Sequence, residues 1–443
     1  CERNNGGCFT LPKKEESTMQ KMKYSEVELI GEIPEDWEIT TYRRLLNRRK
    51  EYDDQDKQVL SLTIQGVKVK NENYGKMAED FTGHQIVKQG DLVFTPRDFD
   101  ATPILSGIAP CDGCISNLYF VLYPHNISET FIPFINYFMW GVKWGGDIWK
   151  RLSYGMRFSY NFQQFGALPI AVPPIDTQRR IADFLDDKCG KIDRYIEKQQ
   201  QIIDKLKEYK QAVITETVTK GLDPDAPMKD SGIEWIGMIP EHWGIRRLRY
   251  LGTCINGISK GGEYFGSGYP FVSYGDVYKN MELPSSVAGL VETTEDEREW
   301  YSVKEGDVFF TRTSETIEEV ALTSTCMKTI ENATFAGFLI RFRPNTNLLT
   351  KGFSKYYFRS DKHRLFFVKE MNLVTRASLS QELLKRLPVL LPTIDEQLTI
   401  AAYLEQKCSN IDEAINKKYS VIEKLIKYKK SLIYEAVTGK LEV

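Results

Sequence analysis

The sequence lacks the features by which most enzymes and membrane proteins are recognised. It contains only four histidines in 443 residues, and none stands near a Ser, Cys or Asp that would complete a catalytic group. No apolar run approaches the roughly 18 residues needed to cross a bilayer, and no apolar N-terminal segment indicates secretion. A GxxxxGK[ST] loop is absent, so a P-loop NTPase is unsupported. The sequence therefore predicts a soluble, cytoplasmic protein.

Motifs for a cofactor or for nuclease chemistry are also weak. The Gly-rich run 257–268 does not have the GxGxxG pattern between a strand and a helix, so a flexible loop is favoured over dinucleotide or S-adenosylmethionine binding. Pro173-Pro174-Ile175 lacks the Asn and the aromatic residue of the amino-methyltransferase tetrapeptide. The acid-x-Lys triplets 186–188 and 405–407 have a nuclease-like spacing, but a solvated helix face explains them better. We therefore expect no cofactor in this chain.

An excess of positive charge is missing as well. The chain has 59 Lys and Arg against 61 Asp and Glu, a net charge of −2 and a pI near 6.3. These values argue against a protein that coats nucleic acid by bulk charge, but not against a reader that concentrates Arg and Lys on one surface. The length allows two or three domains with cores of their own.

Cysteine spacing gives little evidence for a metal. Among eight cysteines, only Cys111 and Cys114 have metal or redox spacing, and they lack a second CxxC or a nearby His pair. A turn with two reduced thiols is favoured over zinc, and no metal site is predicted. Cys189 and Cys408 occupy the same position of a repeat, which favours small buried packing residues.

The repeat itself is the strongest feature of the chain. Residues 173–221 recur as residues 392–440, and the separation stays at 219 residues from Ile175 and Ile394 onwards without an insertion. Apolar residues recur at steps of three and four, so each copy predicts a helix with a narrow seam. The predicted seam residues are Ile192, Ile196, Ile203, Leu206, Tyr209, Val213, Ile411, Ile415, Ile422, Leu425, Tyr428 and Leu432. The simplest partner for one seam is the other, which predicts an antiparallel coiled coil.

Within the first copy, Cys189-Gly190 predicts a break between a short leading helix and a long one. The long helix is expected over residues 191–220, a length of about 45 Å at about 1.5 Å per residue.

A second repeat opens each half of the chain. Residues 22–37 recur as residues 228–243, with Gly-x-Ile-Pro-Glu-x-Trp at 31–37 and 237–243. Further on, VKQGDLVFT at 87–95 corresponds to VKEGDVFFT at 303–311 and predicts a Gly-Asp turn before a short strand. Other predicted strands are 58–65, 118–123, 270–273 and 338–342, and predicted helices are 131–142 and 352–368.

These patterns predict an α/β or α+β fold with twisted β-sheets and a pseudo-twofold internal repeat. Two globular domains are expected, joined by two long helices that pack as the antiparallel coiled coil. The predicted order is a disordered or cloning-derived leader at 1–21, a first variable domain at 22–172, a helical spacer at 173–227, a second variable domain at 228–391 and a second spacer at 392–443.

Arg and Lys are interleaved with aromatic and short polar residues in both variable domains. The cluster 42–50 is matched with 246–250, and Thr95-Pro96-Arg97 with Thr311-Arg312-Thr313. Arg can bond to guanine edges or to phosphates, while Ser and Thr contact other groups of DNA. A surface Arg without a partner is the commoner case for any single residue, but similar clusters occur in both halves. The candidate DNA-binding residues are Arg43, Arg44, Thr95, Arg97, Arg157, Arg246, Arg247, Lys260, Thr311, Arg312, Thr313 and Arg376.

With these motifs in place, the chain resembles the specificity subunits of type I restriction–modification systems. The resemblance covers residues 22–443 and rests on three elements, each present twice: the Gly-x-Ile-Pro-Glu-x-Trp opener, LPIAVPPIDTQ at 168–178 with LPVLLPTIDEQ at 387–397, and the long helix ending in Tyr-Lys-x-x-x-Ile-x-Glu-x-Val-Thr-x at 209–220 and 428–439. Thr177 departs from the pattern, because the family has an acidic residue there and Glu396 keeps it.

The resemblance implies a non-catalytic subunit that reads double-stranded DNA through two target-recognition domains on a coiled-coil spacer. Two half-sites around a gap of fixed length would follow from that plan, and the unlike domains imply an asymmetric target. It also implies two methyltransferase subunits, which bring S-adenosylmethionine for adenine N6 methylation, and restriction subunits for translocation and cleavage.

Two other functions stay open at this point. The repeated modules could form a scaffold that binds proteins rather than DNA, and footprinting would separate this from a DNA reader. An enzyme acting alone is disfavoured by the missing motifs, and methylation by the isolated chain would revive it.

Overall fold

A computed structural model describes residues 21–27, 30–52, 58–70, 83–97, 103–146, 159–314, 320–370 and 377–443. The fold is mixed α/β and divides into two compact units. Unit 1 is drawn from residues 1–199 and 419–443, and unit 2 from residues 200–418. The domain boundaries predicted from the sequence stay a prediction.

Unit 1 begins with the opener and continues into a variable region. Its described strands are β1 Met22–Tyr24, β2 Glu32–Pro34, β3 Glu38–Thr41, β4 Leu46–Arg49, β5 Leu60–Thr63, β6 Gly66–Val69, β7 Gln85–Val87, β8 Leu92–Phe94, β9 Ser106–Ile108, β10 Gly113–Ile115, β11 Phe120–Pro124 and β12 Pro169–Val172. Its described helices before the spacer are α1 Tyr42–Leu45, α2 Ile132–Gly146 and α3 Phe162–Ala167.

The first long helix, α4 Ile175–Lys220, follows β12 and contributes residues to both units. The strands of unit 2 are β13 Met228–Asp230, β14 Met238–Pro240, β15 Gly244–Arg247, β16 Gly252–Asn256, β17 Phe265–Val272, β18 Leu290–Val291, β19 Val308–Thr311, β20 Thr313–Ser314, β21 Thr323–Thr325, β22 Thr334–Phe335, β23 Leu339–Pro344, β24 Ala377–Ser378 and β25 Pro388–Leu391. The other helices are α5 Tyr274–Lys279, α6 Glu295–Trp300, α7 Lys351–Tyr357, α8 Asp361–Glu370, α9 Gln381–Arg386 and the second long helix, α10 Ile394–Val437, with 3-10 turns at Leu248–Tyr250 and Gly262–Tyr264.

The same four-stranded antiparallel sheet forms the frame of each unit. Its order is β4-β11-β8-β9 in unit 1 and β16-β23-β19-β21 in unit 2. The strands after the Gly-Asp turn are buried throughout because both faces of the sheet are covered. Phe310 packs into one hydrophobic cluster of unit 2 and its neighbour Phe309 into another, and both are buried.

The units differ in the segment between the first strand of the sheet and the Gly-Asp turn. Unit 1 has the β5–β6 hairpin there, whereas unit 2 has a three-stranded sheet in the order β18-β17-β22, of which β22 follows β19 in the chain. The frame is therefore common to both units, while the inserted elements are not.

The Gly-Asp turn is explained by an aspartate that closes it. Gly90 and Gly306 adopt φ values of +87° and +88°, which favour glycine. Asp91 Oδ2 accepts a hydrogen bond of 2.9 Å from the backbone N of Lys88, and Asp307 repeats the arrangement in unit 2. Both carboxylates also bind a buried or half-buried arginine, so the motif is structural.

The predicted helix break at Cys189-Gly190 is wrong. Helix α4 runs for 46 residues without interruption, and α10 for 44. A helical glycine costs about 1 kcal/mol relative to alanine. That cost is offset by packing, since Cys189 is 4% exposed and lies in the unit 1 core beside Leu185 and Ile192.

Paired charges connect the two long helices within each unit. In unit 1, Lys429 Nζ on α10 lies 2.7 Å from Asp193 Oδ2 on α4. In unit 2, Lys210 Nζ on α4 lies 2.6 Å from Asp412 Oδ2 on α10. The four residues occupy two equivalent positions of the repeat, so each unit makes the same contact with the roles of the helices exchanged.

The predicted seam needs correction at Tyr209 and Tyr428, whose side chains are 49% and 58% exposed. The side chains that are buried or half-buried alternate in steps of four and three, which continues the seam to Lys210 and Lys429. The step from Leu206 to Tyr209 is a second consecutive step of three, and it turns the Tyr209 side chain away from the seam. Tyr428 is turned away in the same manner. The corrected positions are Ile192, Ile196, Gln199, Ile203, Leu206, Lys210 and Val213 on α4, and Ile411, Ile415, Lys418, Ile422, Leu425, Lys429 and Leu432 on α10.

A buried glutamine anchors the start of each long helix. Gln178 Nε2 donates to the carbonyls of Glu129 and Pro173, and its Oε1 accepts from Phe131 N. Gln397 makes the equivalent three hydrogen bonds in unit 2, with Leu348, Pro392 and Thr350. The loop before α2 or α7 is thereby fixed to the first turn of α4 or α10.

The other end of each helix packs on the opener. Gly439, just after α10, adopts φ +70° against Trp37 and Pro34 in unit 1. Gly221, just after α4, adopts φ +79° against Trp243 in unit 2. The two tryptophans are 2% and 1% exposed, which explains the Trp that ends each opener motif.

Candidate nucleic-acid interface

The strongest candidate surface lies at the edge of each sheet where β8 or β19 ends. In unit 2, Arg312 N donates to Phe338 O at 2.9 Å, and Leu379 N donates to Arg312 O at 2.7 Å. In unit 1, Tyr160 N donates to Pro96 O at 2.8 Å, and Arg97 forms an isolated bridge with Ser159. Thr313 pairs with Ser378 in the same way. The two edges therefore present residues 96–97 and 312–313 in equivalent positions.

Two threonines predicted to contact DNA do not reach this surface. Thr95 is 8% exposed and donates through Oγ1 to Arg97 O at 3.1 Å. Thr311 is fully buried, and its Oγ1 accepts from Leu322 N at 2.9 Å. Both hydroxyls stabilise the chain as it leaves the strand, so they are not part of the candidate interface.

The arginines divide into those with an internal carboxylate and those without one. Arg49 donates to Asp91 at 2.8 Å and Arg343 to Asp307 at 2.6 Å, so the Gly-Asp turns engage both. The exposed Arg97 and the half-buried Arg312 form no ion pair within the described part of the chain. A guanidinium without an internal partner keeps its donors for a phosphate or a base edge.

A large apolar side chain accompanies each edge. Phe338 is 64% exposed in the turn before β23, and Leu118 is 56% exposed in the turn before β11. The backbone of Phe338 contacts Arg312 directly, and Arg97 follows the strand whose Phe94 pairs with Phe120. Apolar and cationic groups thus lie at the same end of both sheets, a signal that sequence reasoning missed.

Lys260 is less available than predicted. Its Nζ lies 2.7 Å from Glu297 Oε2 and 5.1 Å from the centre of the Tyr264 ring. The hydrogen bond from Lys260 holds the pKa of Glu297 below its usual value. This pair fixes the Gly-rich loop to helix α6, so Lys260 has a structural role in the described molecule.

The remaining arginine cluster is arranged differently from its sequence match. Strands β3 and β15 pair equivalently with β12 and β25, and this register places Arg43 at the position of Arg249. The exposed Arg246 and Arg247 then correspond to Thr40 and Thr41. In unit 2, Arg246, Arg247 and Tyr250 line an open depression that the equivalent residues of unit 1 do not reproduce in sequence.

Arg43 and Arg44 are exposed on α1, where the Cβ of Arg43 packs close to Gly166. Arg249 stacks at 5.2 Å over the ring of Tyr250, and the prediction from sequence did not include it among the candidate residues. Arg157 and Arg376 lie outside the described residues.

Other candidate groups have structural roles. Asp186 and Glu405, from the acid-x-Lys triplets, accept hydrogen bonds from Tyr137 and Tyr356 at 2.6 and 2.8 Å, which connects each long helix to its unit. His363 is 2% exposed with Nδ1 at 2.8 Å from Ser360 Oγ, and burial lowers its pKa to about 3. Neither arrangement resembles a catalytic site.

Metal and membrane features are limited to the following observations. Cys111 is half-buried with Sγ 3.7 Å from Gln58 Oε1, and Cys114 is buried on β10. Within the ranges that the structure describes, no cluster of three His, Cys, Asp or Glu side chains could hold a metal ion. None of the helices in those same ranges combines the length and the apolar character that a bilayer span requires.

Comparison with known proteins gives a consistent result. Residues 240–424 match the family model described as type I restriction modification DNA specificity domain. The chain is 25% identical to the EcoKI type I restriction enzyme specificity subunit of Escherichia coli K12, over 62% of this chain and 58% of that protein. It is also 25% identical to the putative MjaX specificity subunit of Methanocaldococcus jannaschii, over 94% of this chain and 96% of that protein.

A solved structure supports the fold. That structure concerns the complex assembly and conformational transition of the type I restriction–modification system. It superposes on this chain with a TM-score of 0.66 at 14% sequence identity. The match covers 92% of this chain and 99% of the solved chain. At this identity the likeness concerns the fold alone.

Proposed function

Because the chain belongs to the family of type I restriction–modification specificity subunits, we propose that it reads double-stranded DNA for such an enzyme and catalyses no step itself. The observation that carries the proposal is the repeated frame. Each unit presents an arginine where the same strand leaves the common four-stranded sheet, Arg97 in one and Arg312 in the other, at neighbouring rather than equivalent positions of the repeat. The elements inserted beside that edge differ between the units.

The target is proposed to be bipartite and asymmetric. Each unit carries one target-recognition domain, and unlike inserted elements present unlike side chains to DNA, so the two half-sites differ in sequence. Arg97 and Arg312 are the first candidates for base contacts. The exposed Arg43, Arg44, Arg246 and Arg247 are assigned to phosphate contacts, which position a protein on DNA without reading its sequence.

The two long helices are proposed to form an antiparallel coiled-coil spacer between the recognition domains. In support, Asp193 pairs with Lys429 within unit 1, and Lys210 pairs with Asp412 within unit 2. From the first pair to the second, the residue number rises from Asp193 to Lys210 on α4 and falls by the same amount from Lys429 to Asp412 on α10. A spacer of fixed length would fix the number of base pairs between the two half-sites.

The partners are proposed to be two methyltransferase subunits, with restriction subunits joining them. S-adenosylmethionine and the methylation of adenine would belong to the methyltransferases. Tyr209 and Tyr428 support a docking role, because both are exposed at one repeat position outside the corrected seam. Replacing both with Glu is expected to abolish co-purification of the methyltransferase, whereas Tyr24→Glu, at an exposed site on β1, should not.

The principal test is the mapping of methylated bases in cells that express the chain with its methyltransferase partner. One asymmetric, two-part motif is expected, and exchange of residues 228–388 for those of another family member should change one half of it only. A change in both halves would contradict the modular account. A scaffold that binds only proteins predicts no methylated motif and no two-part footprint.

A further inference from the structure

Two turns of the common sheet carry a large apolar side chain that is exposed, Phe338 in unit 2 and Leu118 in unit 1. We call these two side chains the tips. Phe338 is 64% and Leu118 56% exposed, and each lies in the turn that leads into the same strand of the common sheet, β23 or β11. The tips recur in two units whose neighbouring elements differ. Single exposed apolar side chains are common on proteins, but these two occupy equivalent positions beside the candidate DNA-contacting residues.

Both tips are held rigidly. In unit 2, Gly337 N donates to Ile258 O at 2.8 Å, and Leu339 N donates to Ala336 O at 2.9 Å. In unit 1, the amide of Gln85, which is 1% exposed, donates to the carbonyls of Ser116 and Tyr119 at 3.0 and 2.7 Å. Because the backbone of each turn is already fixed, inserting its side chain into a partner requires no further ordering of the main chain.

The surroundings suit a polyanion. Phe338 O accepts from Arg312 N, so the aromatic tip and the guanidinium-bearing residue leave the sheet together. A contrasting exposed aromatic, Trp300, is 66% exposed but ends helix α6, which carries Glu295, Asp296, Glu297 and Glu299. Phosphates would be repelled there and attracted at Phe338.

We propose that Phe338 and Leu118 act as wedges, each entering the base stack of one half-site and unstacking a base step. This inference rests on the proposed function and adds a deformation of DNA to it. Apolar wedges of this kind kink DNA at flexible steps, and the sequence dependence of that cost contributes specificity without a base hydrogen bond. The two wedges would therefore select steps that the arginines do not contact.

The test uses the full chain in complex with its methyltransferase subunits, after the target motif has been mapped. Duplexes carry 2-aminopurine at one position at a time, outside the methylated adenines and their immediate neighbours. The wild-type complex is expected to raise the fluorescence at one step in each half-site. Phe338→Ala should remove the signal from one half-site only, and Leu118→Ala from the other.

Affinity gives a second readout. Phe338→Ala is expected to weaken binding to the intact duplex by about 5- to 20-fold, and by less than about 2-fold when a mismatch already loosens the step. Phe338→Leu should keep most of the signal. Trp300→Ala is the matched control and should leave both fluorescence and affinity unchanged.

Each outcome decides a different claim. Unchanged fluorescence and affinity in Phe338→Ala would overturn the wedge and leave the proposed function standing. An equal loss on intact and mismatched duplexes would show a direct contact to a base instead, which also overturns the wedge. A wild-type complex that selects no DNA sequence would overturn the proposed function, and this inference with it.

Discussion

Lys210 on the first long helix lies 2.6 Å from Asp412 on the second, and both residues belong to unit 2. The repeat places Lys429 and Asp193 in the same relationship in unit 1, at 2.7 Å. Lys210 and Lys429 occupy the seam positions that the sequence pattern had assigned to Tyr209 and Tyr428. These pairs fix which residues of the two helices lie opposite one another.

The first prediction concerns this pair. Reversing one charge with Asp412→Lys should destabilise unit 2 by about 1 kcal/mol or less, because both groups are partly solvated. Adding Lys210→Glu should restore the loss. Urea unfolding of the three variants measures the coupling, and an additive result would show that the pair makes no contribution.

Arg312 and Arg343 should respond in opposite ways to replacement by alanine. Arg312→Ala is expected to weaken specific DNA binding by about 1–3 kcal/mol with the midpoint of unfolding unchanged, because the side chain has no internal carboxylate in the described structure. Arg343→Ala leaves Asp307, which is fully buried, without its partner and should destabilise the fold by about 3–5 kcal/mol. DNA binding by titration and urea unfolding measure the two effects. Equal loss on all sequences would reassign Arg312 to phosphate.

Gln397→Ala should destabilise unit 2 by about 2–4 kcal/mol, because it removes three hydrogen bonds of a fully buried side chain and leaves partly buried backbone groups unpaired. Gln178→Ala should do the same in unit 1. The matched control is Gln200→Ala, an exposed helix position, which should change stability by less than about 0.5 kcal/mol. Similar values for all three variants would contradict the anchoring role.

The glycines after the two long helices should not be equally tolerant. Gly221→Ala adds strain at φ +79° with its nearest contact at an ordinary 3.4 Å, so a loss of about 1–2 kcal/mol is expected. Gly439→Ala adds the same strain and places a Cβ in steric overlap with the Pro34 ring, and should cost more. Hydrogen exchange at the opener of each unit locates the two effects, and a larger loss for Gly221→Ala would contradict the packing.

His363 gives a prediction about pH. Burial lowers its pKa from 6.5 to about 3, so between these values the unfolded chain binds a proton that the folded chain does not. Its contribution to stability is therefore complete above about pH 6.5 and decreases as the pH falls towards 3. His363→Gln should flatten the dependence of the urea midpoint on pH between 7 and 4.5, and a slope equal to that of the wild type would contradict this account.

The sequence by itself determined the parts of this protein that are repeated. An uninterrupted separation of 219 residues predicts two long helices because an inserted residue would rotate every later side chain off its face. The opener motifs, the Gly-Asp turns and the Gln in the first turn of each long helix were visible for the same reason, although their hydrogen bonds were not. The resemblance to specificity subunits rested on the opener motifs, on the Leu-Pro segments that end in this Gln and on the long helices.

Only the tertiary structure decided which polar residues are available to a partner. Thr311 and Arg312 are neighbours in the sequence, yet one is buried against Leu322 and the other leaves the sheet beside Phe338. Likewise Gly190, a predicted break, lies within a continuous helix, because packing from distant parts of the chain outweighs the local preference of one residue. Burial and pairing depend on what lies across the fold, and no local pattern in the sequence contains that information.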